Sequence, residues 1–270
     1  MPELTLDLPK LEAGSRSAKV NVLGVLVDAT NLPEATERVI RWVTERKRTY
    51  VTSTGVHGIM ESQRRPDVRL AHNSAGMVTP DGMPLTYINR AAGHSTCGRV
   101  YGPDLMLEIC RASVPHGYRH FFYGTTEKTL KRLTDSLCER FPGFQVAGVY
   151  APPFRPLTDA ERAIVVARIN ESSPDIIWVG LGCPKQELWM AEHRPYLEAP
   201  VMVGVGAVFD FLSGTLRQAP RWIQPLCLEW LFRLLVEPRR LWRRYLLNNP
   251  QFIFLLALQR LGLRKFELNA

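Results

Sequence analysis

The sequence predicts an α/β fold: a mainly parallel sheet with flanking helices, followed by a helical C-terminal appendage of different character. Three observations carry that prediction. Short runs rich in β-branched and aromatic residues alternate with segments of helical spacing, the pattern of βαβ units. Unusual polar residues gather directly after those runs, where parallel sheets place their ligands. Beyond residue 225 the alternation stops and a basic, leucine- and arginine-rich helical pattern begins.

Taken in order, residues 1–18 (MPELTLDLPKLEAGSRSA) lack periodicity and read as a loose N-terminal tail. The β-rich runs are VNVLGVLVD, TYVTST, AGMVTP, RHFFYGT, FQVAGVY, DIIWVGLG and VMVGVGAV. Between them, PEATERVIRWVTERK and TEKTLKRLTDSLCERF carry the apolar spacing of amphipathic helices. No internal repeat or low-complexity linker interrupts them, so residues 19–225 are expected to form one catalytic-type α/β domain. Residues 226–270 form the appendage, expected as helical stretches broken at Pro238 and Pro250.

With 46% apolar and 22% charged residues in 270, the chain is an ordinary folded protein. Its five cysteines (Cys97, Cys110, Cys138, Cys183 and Cys227) form no CxxC pair, and the N-terminus carries no secretory signal. Neither a disulfide framework nor a zinc knuckle is suggested, and a reducing, cytoplasmic setting is expected. The net charge of +8 is concentrated: from Arg233 to Lys265 eight Arg and Lys face a single acid, Glu237. The longest apolar run there, FIFLLAL, is 7 residues, against the roughly 20 of a spanning helix.

Asp81 stands between a proline and a glycine in TPDGMPL, directly after a strand. It reads either as a turn or N-cap aspartate or as a base. The company on the same rim favours chemistry, because Thr52, Arg99, Gln186 and Asp210 also fall at or near strand-to-helix turns. A carboxylate there can take a proton from an attacking hydroxyl while an arginine holds a leaving phosphate. GLGCPK and GVGAVF each contain GxG without completing GxGxxG, so neither a dinucleotide nor a P-loop site is indicated. Gly182, Gly204 and Gly206 either make tight turns or let backbone amides approach a phosphate or base, with Lys185 beside the first pair. In PKQELW, Glu187 reads as a first-turn acid, whereas the amide of Gln186 suits a sugar hydroxyl.

The chain has no DxD, HExxH or GxSxG, and its six histidines show no metal-ligand spacing, so neither a metal nor a cofactor is expected. Only His57, following TSTG, is kept as a possible rim group. For the basic tail there are two candidate partners, nucleic acid and anionic lipid, of which the Leu, Phe and Trp content fits lipid better, and one reading without a partner. Arg and Lys among Trp242 and Tyr245 could grip nucleic acid, broken apolar helices could lie on anionic lipid, or the segment could be a buried helical pair with a solvated face.

Five ordered motifs, TPDGMPL, GRVYGPDLM, VGLGCPKQELWM, GVGAVFDFLSGTLRQAP and LEWLFRLLVEPRRLWRRY, make the chain from Val20 to Phe252 resemble the WecG/TagA/CpsF glycosyltransferases, glycosyltransferase family 26. The resemblance implies a Rossmann-like core, no metal, and an appendage that touches the membrane and closes the active site. It implies that Asp81 is the general base, that Thr52, Arg99 and Gln186 share its pocket, and that Asp210 lies against the uracil. Arg233, Arg240 and Arg243 are expected to meet the diphosphate, with Gly182, Gly204, Gly206 and Lys185 lining the nucleotide.

Thr54 stands where many members carry asparagine, and RQAP replaces the commoner RAP. The STGVHG and DGMPL variants resemble the exopolysaccharide branch more than the teichoic-acid branch that uses N-acetylmannosamine. The expected activity is inverting hexosyl transfer from a UDP-sugar to a polyprenyl-diphosphate-linked saccharide at the inner face of the cell membrane, with homo-oligomers possible. The alternative is a non-catalytic nucleotide- or nucleic-acid-binding protein.

Overall fold

The computed structural model describes residues 18–268, so nearly all of the expected N-terminal tail lies outside the described residues. Along the chain run β1 (Lys19–Val22), β2 (Val25–Asp28), α1 (Leu32–Thr44), β3 (Thr49–Thr54), α2 (Val56–Arg64), α3 (Pro66–Asn73), β4 (Met77–Pro80), α4 (Met83–Ala91) and α5 (Gly102–Ser113). There follow β5 (Arg119–Gly124), α6 (Glu127–Arg140), β6 (Gln145–Tyr150), α7 (Asp159–Glu171), β7 (Ile176–Gly180), α8 (Lys185–His193) and β8 (Val201–Gly204). The chain closes with α9 (Val208–Leu212), α10 (Glu229–Val236) and α11 (Pro238–Arg260).

Six strands form one sheet in the order β4-β3-β8-β7-β5-β6, and every neighbouring pair is parallel. Side chains alternate across it as a pleat requires. On β5, Phe121 and Tyr123 enter one core cluster while Phe122 enters the other; on β7, Ile177 and Val179 oppose Ile176 and Trp178. One layer is supplied by α1, α5, α6 and α9, with Val39, Leu105, Leu133 and Phe209 among its buried residues. The other takes Ile59, Leu85 and Trp189 from α2, α4 and α8. The α/β class and the parallel sheet are therefore as the alternation predicts.

Two local expectations change. VNVLGVLVD is not one strand: Leu23 and Gly24 both take positive φ, 50° and 84°, which turns the run into an antiparallel hairpin outside the main sheet. Pro238 does break the terminal helices, sitting in the first turn of α11 where its missing N–H costs nothing, but Pro250 lies inside α11 and the helix continues through it. The apolar contacts of the helix around Pro250, Leu241, Tyr245, Phe252 and Leu255, outweigh one lost hydrogen bond.

The C-terminal segment is fastened at its far end. Phe252, Leu255 and Phe266 belong to the same cluster as the α2 and hairpin residues. Gln259 exchanges hydrogen bonds with the hairpin, donating to the Asn21 carbonyl at 3.0 Å and accepting from the Leu23 N–H at 3.1 Å. The near end differs, since α10 buries no residue fully and lies across the carboxyl ends of the strands.

Candidate active site

The loops after β3, β4, β7 and β8 meet under α10 and α11 around a cleft of about 850 Å³. That volume matches small-molecule sites. One wall is polar, with Asp81, Arg99, Glu229, Arg233, Arg240 and Arg244; another is apolar, with Met83, Ile88, Phe252, Ile253 and Leu256.

Asp81 is neither the cap of α4, whose N-cap is Gly82, nor a solvent-facing turn residue. Its N–H donates to the Thr54 carbonyl at 2.9 Å, joining the ends of β3 and β4. Its Oδ1 accepts from the Gly102 N–H at 2.9 Å, at the opening of α5. Gly102 lacks a side chain for a reason: a Cβ there would stand 2.9 Å from Val208. Among the described residues no protein group hydrogen-bonds Oδ2, leaving that oxygen for the cleft. Burial raises the carboxyl pKa above its ordinary value, with Arg99 acting against that and Glu229 reinforcing it.

The segment between α4 and α5 folds back onto β4, the Val100 N–H donating to the Pro80 carbonyl at 3.0 Å, and so delivers Arg99 and Tyr101 to the cleft. Arg99 donates from Nε to the Asp81 backbone carbonyl and from Nη2 to Glu229 Oε2, each at 2.5 Å, while its guanidinium lies 4.1 Å over the Tyr101 ring.

Gln186 is only 2% exposed and works as a clamp. Its Oε1 accepts from the Gly206 N–H at 2.8 Å and its Nε2 donates to Glu187 Oε1 at 2.9 Å, tying the α8 N-terminus to the loop after β8. Gly206, at φ 60°, and Gly182, at φ 78°, take left-handed conformations that the two loops need. Glu187 is fully buried rather than a surface first-turn acid, and burial raises its pKa.

The appendage arginines follow helical geometry. Arg240 and Arg244, four apart on α11, share the face toward the cleft, joined by Arg233 from α10. Arg243 is one residue off that face: it is exposed, packs 5.2 Å from the Trp242 ring and does not line the cleft. The Nε atoms of Arg233 and Arg244 are buried without a hydrogen-bond partner among the described residues. Burial lowers the Arg244 pKa, and the charges of Arg233 and Arg240 push the same way. Three cations thus converge on the cleft, two of them with unused buried donors and Arg240 paired with Glu237 at 2.6 Å, an arrangement able to receive an anion.

The remaining expected residues lie elsewhere. Thr52 is fully buried beneath the cleft, its hydroxyl 3.1 Å from His72 Nδ1. Gly204 lies under Gln186 and Met190, which fill the space a side chain would need. Lys185 is exposed outside the cleft lining. Asp210 is half-buried on α9, accepts from the Thr125 hydroxyl at 3.4 Å and has its pKa raised by burial, beside the cleft rather than in its wall. His57 does line the cleft; burial and the charges of Arg244, Arg64 and Arg233 lower its pKa to about 3, so it is neutral at physiological pH. Sequence reasoning missed Tyr101, Glu229 and Arg244. The spacing of four from Arg240 would have found Arg244, whereas Glu229 reaches the site only through the tertiary fold.

Residues 20–266 match the Glycosyl transferase WecG/TagA/CpsF family. The chain is 28% identical over 215 residues, covering 78% of this chain and 80% of the relative, to the N-acetylglucosaminyldiphosphoundecaprenol N-acetyl-beta-D-mannosaminyltransferase of Bacillus spizizenii. The enzyme of the same name from Staphylococcus aureus is 26% identical over 265 residues, covering 94% of this chain and 98% of the relative. The one from Bacillus subtilis is 29% identical over 180 residues, covering 67% and 68%. With its parallel sheet, its cleft at the strand ends and a match over most of its length, the chain belongs to the WecG/TagA/CpsF family of glycosyl transferases.

Proposed function

We propose that the protein transfers a hexose, of the glucose or N-acetylmannosamine type, from a UDP-sugar to a polyprenyl-diphosphate-linked saccharide, with inversion and without a metal, in the synthesis of a bacterial exopolysaccharide or other surface polysaccharide. The names of its relatives support the lipid-linked acceptor. The observation that carries the reading is the opposition of Asp81, with one oxygen left to the cleft, to Arg233, Arg240 and Arg244.

In this reading Asp81 takes the proton of the acceptor hydroxyl as its oxygen bonds to the anomeric carbon. The sugar–phosphate bond breaks on the opposite face, so the configuration inverts. Charge growing on the departing UDP is met by the arginines, two of which hold unused buried donors. The clamp of Gln186 on Gly206 fixes the loop against which the nucleotide packs. The apolar wall of the cleft suits the start of the lipid chain, and the protein works from the membrane surface.

The test is transfer to a synthetic polyprenyl-diphosphate-linked sugar in detergent with EDTA, with UDP-glucose, UDP-N-acetylmannosamine and UDP-N-acetylglucosamine as separate donors. A lipid-linked product from one donor supports donor class and metal independence together. Product that forms only when a divalent ion is restored contradicts metal independence, and no product from any UDP-sugar contradicts the donor assignment.

A further inference from the structure

The cleft contains a second carboxylate that the proposed chemistry does not use. Glu229 opens α10 and projects to Arg99, the two side chains being 19% and 13% exposed. The contacts of Arg99 include the Asp81 backbone carbonyl, Glu229 and the Tyr101 ring. Among the described residues, no ion pair joins Arg99 to the Asp81 carboxylate although both line the cleft. A guanidinium released from Glu229 would be drawn toward that carboxylate, whose charge already acts on it.

We infer that Glu229 is a positioning residue for the transfer step: by holding Arg99 on the backbone side of Asp81, it keeps the arginine from closing on the carboxylate that takes the proton. The inference rests on the reading of Asp81 as the base. The titratable and charged groups facing Asp81 are Arg99 and Tyr101 from the segment before α5, and Glu229 and Arg233 from α10. Of these only Glu229 both carries negative charge and holds the nearby cation. Loss of its charge leaves Asp81 facing two arginines, and an opposite charge that close lowers a carboxyl pKa by about 1–3. A base with a lower pKa is a weaker base, so turnover falls and the acid limb of the rate profile moves to lower pH.

Glu229→Gln, which preserves shape, is compared with the wild type through the pH dependence of kcat/KM and the carboxyl 13C shift of Asp81. The inference predicts a loss of about 10-fold or more at neutral pH and an acid limb about 1 unit lower, with Glu229→Asp recovering part of both. An unmoved Asp81 titration in Glu229→Gln overturns it, whether activity is retained or is lost with the melting temperature. Asp81→Asn separates this failure from that of the underlying reading: full turnover in that variant defeats the base assignment itself.

Discussion

At the residue scale the cleft turns on which polar groups are left without a protein partner. Asp81 spends one oxygen on Gly102 and keeps the other. Because burial raises its pKa, the base is deprotonated only above a point higher than the usual carboxylate range. Activity should therefore fall with decreasing pH through a limb above pH ~4, and a rate profile with no loss down to that value contradicts the assignment. His57, neutral down to about pH 3, does not supply that limb. Gln186 has no such latitude, since both ends of its amide are engaged with Gly206 and Glu187. Gln186→Ala strands a buried carboxyl and a backbone N–H, and should cost about 1–3 kcal/mol of stability, read by denaturant unfolding, together with weaker UDP binding in calorimetry. Asp81 was legible in the sequence because a lone acid after a strand is visible as such. Arg99 was legible as a site residue, but its partner Glu229 was not, because 130 residues separate them and only the fold of α10 brings them together.

At the element scale, α11 decides which arginines face the substrate. A helix turns about 100° per residue, so Arg240 and Arg244 share a face that Arg243 leaves. The family resemblance, carried over by spacing, pointed to Arg243; the packing of Leu241, Tyr245 and Phe252 sets the rotation and brings in Arg244. Arg244→Ala is expected to lower kcat/KM for the donor about 10-fold or more, as the loss of one charge-stabilising group, while Arg243→Ala stays close to wild type in the same assay. The reverse order would show that α11 is rotated in the working enzyme. The strands of the main sheet were readable as short runs rich in β-branched and aromatic residues, and the central ones feed both buried layers. The hairpin was not, since the centre of VNVLGVLVD is apolar apart from Gly24 and the two positive φ values there reveal the turn.

At the scale of the whole molecule, the appendage is bound to the domain at one end and to the cleft at the other. Removing the chain from Arg233 onward takes away Phe252, Leu255 and Phe266, and each such loss from a core costs about 2–5 kcal/mol. Such a truncation should therefore fail to give a cooperative thermal transition, rather than leave a folded, inactive core. Trp242, Leu246, Leu247, Ile253 and Phe254 are exposed on α11 among exposed arginines, which suits an anionic lipid surface. Co-sedimentation with vesicles should be strong with anionic lipid and weaker with neutral lipid, and Leu246→Ser with Leu247→Ser should reduce it without changing the melting temperature. Equal binding by wild type and the double variant would remove these side chains from the contact. The central claim is that Asp81 drives the transfer from within a cleft built by the whole chain. Its most direct test is single-turnover transfer by wild type and Asp81→Asn, in EDTA with the donor accepted by the wild type, alongside UDP binding by calorimetry. Asp81→Asn should transfer at a rate lower by about 10² or more with UDP affinity unchanged; a rate within a few-fold of wild type would contradict the base role.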